Sequence, residues 1–262
     1  MNTSKPTIGI ISPAFDSFIH WSHILENFET IITDGYTYHS GFNNGVQVVI
    51  LDCSIDEVTL ALAAFPLKRL SSLTHLVYLG YAGAVNKNIN VGDLVLGTRM
   101  VTLPNLEGNF SDQKEQCTEI SMNTVISGML HLAAEQVILE STIDPLITYE
   151  QELKFGLTAE PSIFRGHVGV GDPFYISPAK RLNALKYDPK LLCLEKEGLM
   201  VAMISKQFAL PLGMIHIIVQ ADNDTEPLDY TKFMNNVANR YLAAISSKLI
   251  HLLSTLTSVK YQ

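Results

Sequence analysis

The stretch His75-Leu76-Val77-Tyr78-Leu79-Gly80-Tyr81-Ala82-Gly83-Ala84-Val85 sets the reading of the whole chain. It begins as an apolar run of strand length and ends in small residues. Gly80, Ala82 and Gly83 let a ligand or another backbone come within van der Waals reach of the strand's end. Many buried strand ends look the same, so its meaning depends on what lies on either side.

Toward the N-terminus, Thr7-Ile8-Gly9-Ile10-Ile11 is a short apolar strand ended by Ser12-Pro13, and a helix is expected over residues 18–28. Two strand-like runs, 36–42 and 46–51, flank Asn43-Asn44-Gly45, a strong short hairpin signal. Residues 55–70 read as a helix with Val58, Leu60, Ala61, Ala64 and Phe65 on one side.

Toward the C-terminus, residues 89–97 give a turn and a further strand, and 102–121 read as polar loop. Residues 125–140 have helical spacing, while 145–161 take no assignment. The run from Ile163 ends in a second glycine-rich turn, Gly169-Val170-Gly171-Asp172-Pro173-Phe174-Tyr175. A helix over 178–187 starts from Ser177 as cap and Pro178 at its first position. Next come the acidic pair Leu194-Glu195-Lys196-Glu197-Gly198 and a helix to residue 208.

The last core strand, 211–220, leads into the acidic loop Asp222-Asn223-Asp224. A helix over 229–256 turns Phe233, Val237, Tyr241, Ala244, Ile245, Leu249, Leu252 and Leu253 inward. Alternating strands and helices with glycine-rich strand ends predict an α/β fold, a three-layer α/β/α sandwich. The hairpin makes its central sheet mixed.

Composition narrows the function. With 262 residues, 47% of them hydrophobic, and no Pro/Gly/Ser-rich linker, one domain over 1–262 is expected. A net charge of −8 argues against a nucleic-acid surface. Three scattered cysteines, Cys53, Cys117 and Cys193, point to a reducing compartment. No apolar run approaches the roughly 18 residues that would span a bilayer. A cytoplasmic protein with no membrane attachment is therefore expected. The eight histidines have no zinc-binding spacing, so neither metal nor cofactor is expected.

Glu195 and Glu197 allow two readings. Acids at the mouth of a helix cap its N–H groups and are favoured by its dipole. A carboxylate can equally clamp the vicinal hydroxyls of a ribose.

Taken together, these segments resemble the purine nucleoside phosphorylase and nucleosidase superfamily. The matching features are Ile8-Gly9-Ile10-Ile11, Gly80-Tyr81-Ala82-Gly83-Ala84-Val85 with Val91-Gly92-Asp93-Leu94-Val95, Gly171-Asp172-Pro173-Phe174-Tyr175 and Leu194-Glu195-Lys196-Glu197-Gly198. In pattern they are most similar to the methylthioadenosine/adenosylhomocysteine nucleosidase-like branch. The resemblance implies a small-molecule partner, a nucleoside or base, and a homo-oligomer. Glu197 would bind the ribose hydroxyls with Glu195 in support, and Phe174 would stack on the base. The Tyr175 backbone would meet the base edge, and Ala82 and Gly83 would line the floor beneath the sugar. A carboxylate beside the sugar suits N-glycosidic cleavage, whose transition state carries positive charge on the ribose.

Three departures matter. Where nucleosidases of this family carry a water-activating Glu, this chain has Ser17, with Asp16 alongside to reach in or to cap the next helix. The acid that protonates the purine is replaced by Gln220, leaving Asp222 or Asp224 as substitutes, and His216 stands where the family has an arginine. The loop Asp52-Cys53-Ser54-Ile55-Asp56 lacks phosphate-binding arginines, and Arg99 lies past the strand that follows. Hydrolysis of a purine, adenosine-type nucleoside is expected. Binding without turnover is the alternative, and phosphorolysis ranks third.

Overall fold

The computed structural model describes residues 6–12, 17–52, 57–70, 72–103, 118–157, 160–172, 177–221 and 229–259. Among these, ten strands form one mixed sheet: β1 (Thr7–Ser12), β2 (Glu26–Thr33), β3 (Tyr36–Asn43), β4 (Val46–Asp52), β5 (His75–Ala84), β6 (Leu94–Val101), β7 (Glu119–Ser121), β8 (Ile163–Val170), β9 (Leu191–Glu195) and β10 (Leu212–Gln220). The helices are α1 (Ser17–Ile24), α2 (Glu57–Leu70), α3 (Thr124–Ser141), α4 (Tyr149–Lys154), α5 (Pro178–Tyr187), α6 (Gly198–Phe208), α7 (Tyr230–Phe233) and α8 (Asn239–Val259).

β1 lies between β4 and β5, parallel to both. On the far side of β5 the sheet curls closed. β10 pairs parallel with β5 and antiparallel with β6, while β8 and β9 lead back from β6 to β5. Right-handed twist favours such curling, and register shifts within three of these pairings add local bend.

Alternate strand residues feed two cores. Ile8, Ile10, Val77 and Leu79 pack with residues of α1, α3 and α8, among them Trp21, Leu130 and Leu249. Ile11, Tyr78 and Val95 face the other way, toward Leu60 and Ala64 of α2 and Val201 and Ala202 of α6. Helices on both faces of a mixed sheet are the layers expected from the sequence. The hairpin at Asn44 and Gly45 also forms as expected, both residues having positive φ (51° and 76°). Ser177 caps α5 through its Oγ, which accepts from Lys180 N–H at 3.2 Å.

Some expectations are corrected. The first helix ends at Ile24 rather than at residue 28, and Glu26–Thr33 is an edge strand antiparallel to β3. Its polar, exposed alternation resembles no core strand, and Ile32 is 74% exposed. The acidic pair does not open a helix directly, because Glu195 is the last residue of β9. A five-residue apolar run such as Leu-Leu-Cys-Leu-Glu cannot be assigned by periodicity. β7 lies inside the stretch expected to be loop, and α4 inside the unassigned one, where Thr148 and Gln151 form a capping box. The C-terminal helix is interrupted by a π-helical turn at Met234–Ala238, and of the eight inward residues Ala244 and Leu252 are only half-buried.

The Gly-Asp signature at 92–93 turns out to be architectural. Buried Asp93 accepts from Asn90 N–H (2.7 Å) and Ser162 N–H (2.8 Å), and its carbonyl accepts from Ile218 N–H (2.8 Å). It ties the turn before β6 to the start of β8 and to β10. No helix among the described residues is long and apolar enough to cross a membrane.

Candidate functional site

The site is built on the end of β5. Gly83 pairs with Gln220 of β10 on one side and Leu194 of β9 on the other, while Ala82 pairs with Ile218 and Ala84 with Cys193. Gln220 and the start of the acidic pair thus flank the small residues on the two neighbouring strands. Ala82 and Gly83 are buried, and Gln220 is half-buried. From β8, the Gly171 N–H donates to the Glu195 carbonyl at 2.8 Å. The turn that leads into Phe174 and Tyr175 is thereby fastened beside the acids. Phe174, Tyr175, Asp16, Asp222 and Asp224 themselves lie outside the described residues, as does most of the segment 52–56.

The two acids behave differently. Glu195 is fully buried, and both its oxygens accept from the Gly198 N–H, at 2.9 Å and 2.8 Å. Tyr78 Oη donates to its Oε2 at 3.3 Å. Glu195 therefore caps α6, and a side chain at 198 would not fit: a Cβ there would lie 2.6 Å from Glu195 Oε1. Burial pushes this carboxyl up to about 8, and the nearby Glu197 charge adds to the rise; the Gly198 N–H, the Tyr78 hydroxyl and the Glu197 N–H oppose it.

Glu197 occupies the N-cap position with helical backbone (φ −93°, ψ −22°) and makes no side-chain cap hydrogen bond. It is half-buried. Glu195 caps α6, and Glu197 stands half-buried at the helix N-terminus.

His216 lies in β10 opposite Gly80, on the face that carries Tyr78. It is fully buried, and neither ring nitrogen has a hydrogen-bond partner. Burial lowers its pKa to about 4; the Val95 backbone pulls weakly the other way but does not complete a hydrogen bond. His216 is therefore a neutral core residue. Arg99, on β6, is paired with Glu119 on β7. Among the described residues, no group of three His, Cys, Asp or Glu is arranged to hold a metal ion.

Tyr78 was not singled out from sequence. Its signal is a hydroxyl two residues before a glycine on the same face of the strand.

A sequence profile of the phosphorylase superfamily matches residues 14–251. The 5′-methylthioadenosine/S-adenosylhomocysteine nucleosidase of Desulfotalea psychrophila is 23% identical over 239 residues, covering 91% of this chain and 94% of that protein. Among solved structures, the 5′-methylthioadenosine/S-adenosylhomocysteine nucleosidase of Neisseria meningitidis in complex with methylthio-immucillin-A superposes with a TM-score of 0.71 at 18% identity, covering 93% of this chain and 98% of that one. A futalosine hydrolase mutant of Helicobacter pylori gives 0.68 at 16% identity, covering 96% and 99%. At these identities the structural likeness establishes the fold.

Proposed function

The chain belongs to the phosphorylase superfamily, and from that premise we propose that it hydrolyses the N-ribosyl bond of a purine, adenosine-type nucleoside. The observation that carries this reading is the contrast between Glu195 and Glu197. Glu195 accepts from the Gly198 N–H, while Glu197, half-buried at the N-cap of α6, makes no side-chain cap hydrogen bond. That position suits the two ribose hydroxyls and the positive charge that develops as the C–N bond lengthens. Water adds to the anomeric carbon, the C–N bond breaks, and the base leaves carrying a proton. Asp16 is the candidate to prepare the water, and Asp222 the candidate to protonate the base. Phe174 and Tyr175 follow the turn fastened to Glu195 and would hold the base; a flat ring does so with little loss of side-chain entropy.

Two observations favour water over phosphate as nucleophile. The segment 52–56 has no arginine, and Arg99 is held by Glu119. Curated relatives named as nucleosidases point the same way. One residue supports a second reading, binding without turnover. Gln220 at the end of β10 can donate a hydrogen bond but cannot transfer a proton.

Chromatography of a nucleoside panel incubated with and without phosphate separates these readings. Free base and free sugar, independent of phosphate, are expected. Ribose-1-phosphate would establish phosphorolysis, and an unchanged panel with measurable nucleoside binding would establish the binding protein.

A further inference from the structure

Three buried polar side chains, Glu195 among them, come together where the acidic pair begins, one from each of three strands. Glu195 ends β9, Tyr78 lies in β5 and His216 in β10; all three are fully buried. Their packing is specific. The His216 ring meets the Tyr78 ring edge-on, with centroids 5.4 Å apart and planes at 64°. Between them Gly80 provides the necessary space, since a Cβ there would lie 2.7 Å from Tyr78 Cε1 and 3.0 Å from His216 Cδ2. The phenol is thereby held with its hydroxyl on Glu195 Oε2.

We propose that Tyr78 is a positioning residue for the nucleoside site, acting through Glu195 on Glu197. This rests on the reading of Glu197 as the ribose ligand. The Gly198 N–H is nearly equidistant from the two Glu195 oxygens, so by itself it leaves the carboxyl loosely oriented about that contact. The Glu197 backbone N–H also hydrogen-bonds this carboxyl, and the Tyr78 hydroxyl, reaching Oε2 from a different strand, fixes the carboxyl plane. With the carboxyl fixed, the loop from Glu195 to Gly198 is clamped at both ends, and Glu197 is the residue that loop presents. An apolar strand residue at 78 would fill the same core without supplying this restraint.

The groups facing Glu195 are Tyr78 from β5, Cys193 from β9, Glu197 from the entrance to α6 and, beyond the Tyr78 ring, His216 from β10. None of them is a cation at neutral pH. Ionisation of Glu195 therefore adds a second negative charge next to Glu197, and nucleoside affinity must register it.

The test is calorimetric binding of formycin A and its 5′-methylthio derivative, C-nucleosides that cannot be hydrolysed, between pH 5.5 and 9.5. Wild-type affinity is expected to change with a midpoint near pH 8. Tyr78→Phe keeps the ring and loses the donor. It is expected to weaken binding about 3- to 10-fold at pH 7 and to move the midpoint to higher pH, because the hydroxyl favours the ionised carboxyl. Glu195→Gln is expected to abolish the midpoint, and it carries the test should Tyr78→Phe fail to fold. Wild-type affinity and an unmoved midpoint in folded Tyr78→Phe would overturn the inference while leaving the nucleoside reading intact, as would a persistent midpoint in Glu195→Gln. Absence of both nucleoside binding and cleavage in the wild-type protein would overturn the reading of the site, and this inference with it.

Discussion

At the scale of single residues, the identity of a carboxylate matters less than which donors converge on it. Two glutamates one residue apart differ because β9 ends at Glu195 and α6 begins at Gly198. In the proposed site, Glu197→Ala removes two charge-assisted hydrogen bonds worth about 1.5–3 kcal/mol each. Steady-state kinetics should show kcat/KM falling roughly 10²- to 10⁴-fold, with the melting temperature within about 2 °C of wild type. A collapse of stability instead would mean that Glu197 serves the fold. Gln220→Asp tests the leaving-group side. A general acid contributes typically about 10²- to 10⁴-fold, so a gain of roughly tenfold or more in adenosine-type cleavage is expected below neutral pH. An unchanged rate at every pH would show that protonation comes from elsewhere.

At the scale of elements, the β9–α6 junction and its neighbours in β5 and β10 make stability depend on pH in a particular way. The Glu195 carboxyl is raised from 4.5 to about 8 in the fold. The folded state therefore binds this proton more tightly than the unfolded chain does. Its stabilising contribution is complete below about pH 4.5 and is lost as pH rises through about 8. His216 works in the opposite sense. It is lowered from 6.5 to about 4, so its contribution is present above about 6.5 and is lost as pH falls through about 4. Between about pH 4.5 and 6.5 the two oppose each other, and above 6.5 only Glu195 remains. Thermal melts should show stability declining from pH 6.5 to 8 in the wild type, and Glu195→Gln should flatten that decline. An identical slope in the variant would mean that Glu195 is already ionised throughout this range.

At the scale of the whole molecule, the curled half of the sheet depends on ties between elements far apart in sequence. Asp93 is one such tie, receiving N–H groups from Asn90 and Ser162 while its backbone engages Ile218. Asp93→Ala leaves both N–H groups without their acceptor, at about 1–3 kcal/mol each. Urea unfolding should report a loss of about 2–5 kcal/mol, while the tie to β10, which runs through the Asp93 backbone carbonyl, is kept. A loss of stability below about 1 kcal/mol would show that the turn holds without its aspartate.

Much of this architecture follows from sequence by itself, because the signals are local. The run from His75 into Gly83, the Asn43-Asn44-Gly45 hairpin and the Ser177-Pro178 helix start each depend on contacts within a few residues. Matched motifs likewise picked out Ala82, Gly83 and the acidic pair, and the register sets Gly83 beside Leu194, the residue before that pair. What only the tertiary structure decided was β2, β9, the closure of the sheet and the capping of α6 by Glu195 rather than by Glu197. A short strand is defined by its partners, and β9 exists because β8 and β5 flank it. The environment of Glu195 was equally out of reach, since the hydroxyl that restrains it comes from Tyr78, 117 residues earlier. A carboxyl group is neutral or charged, cap or ligand, according to which dipoles and how much water surround it, and those are supplied by parts of the chain that meet only on folding.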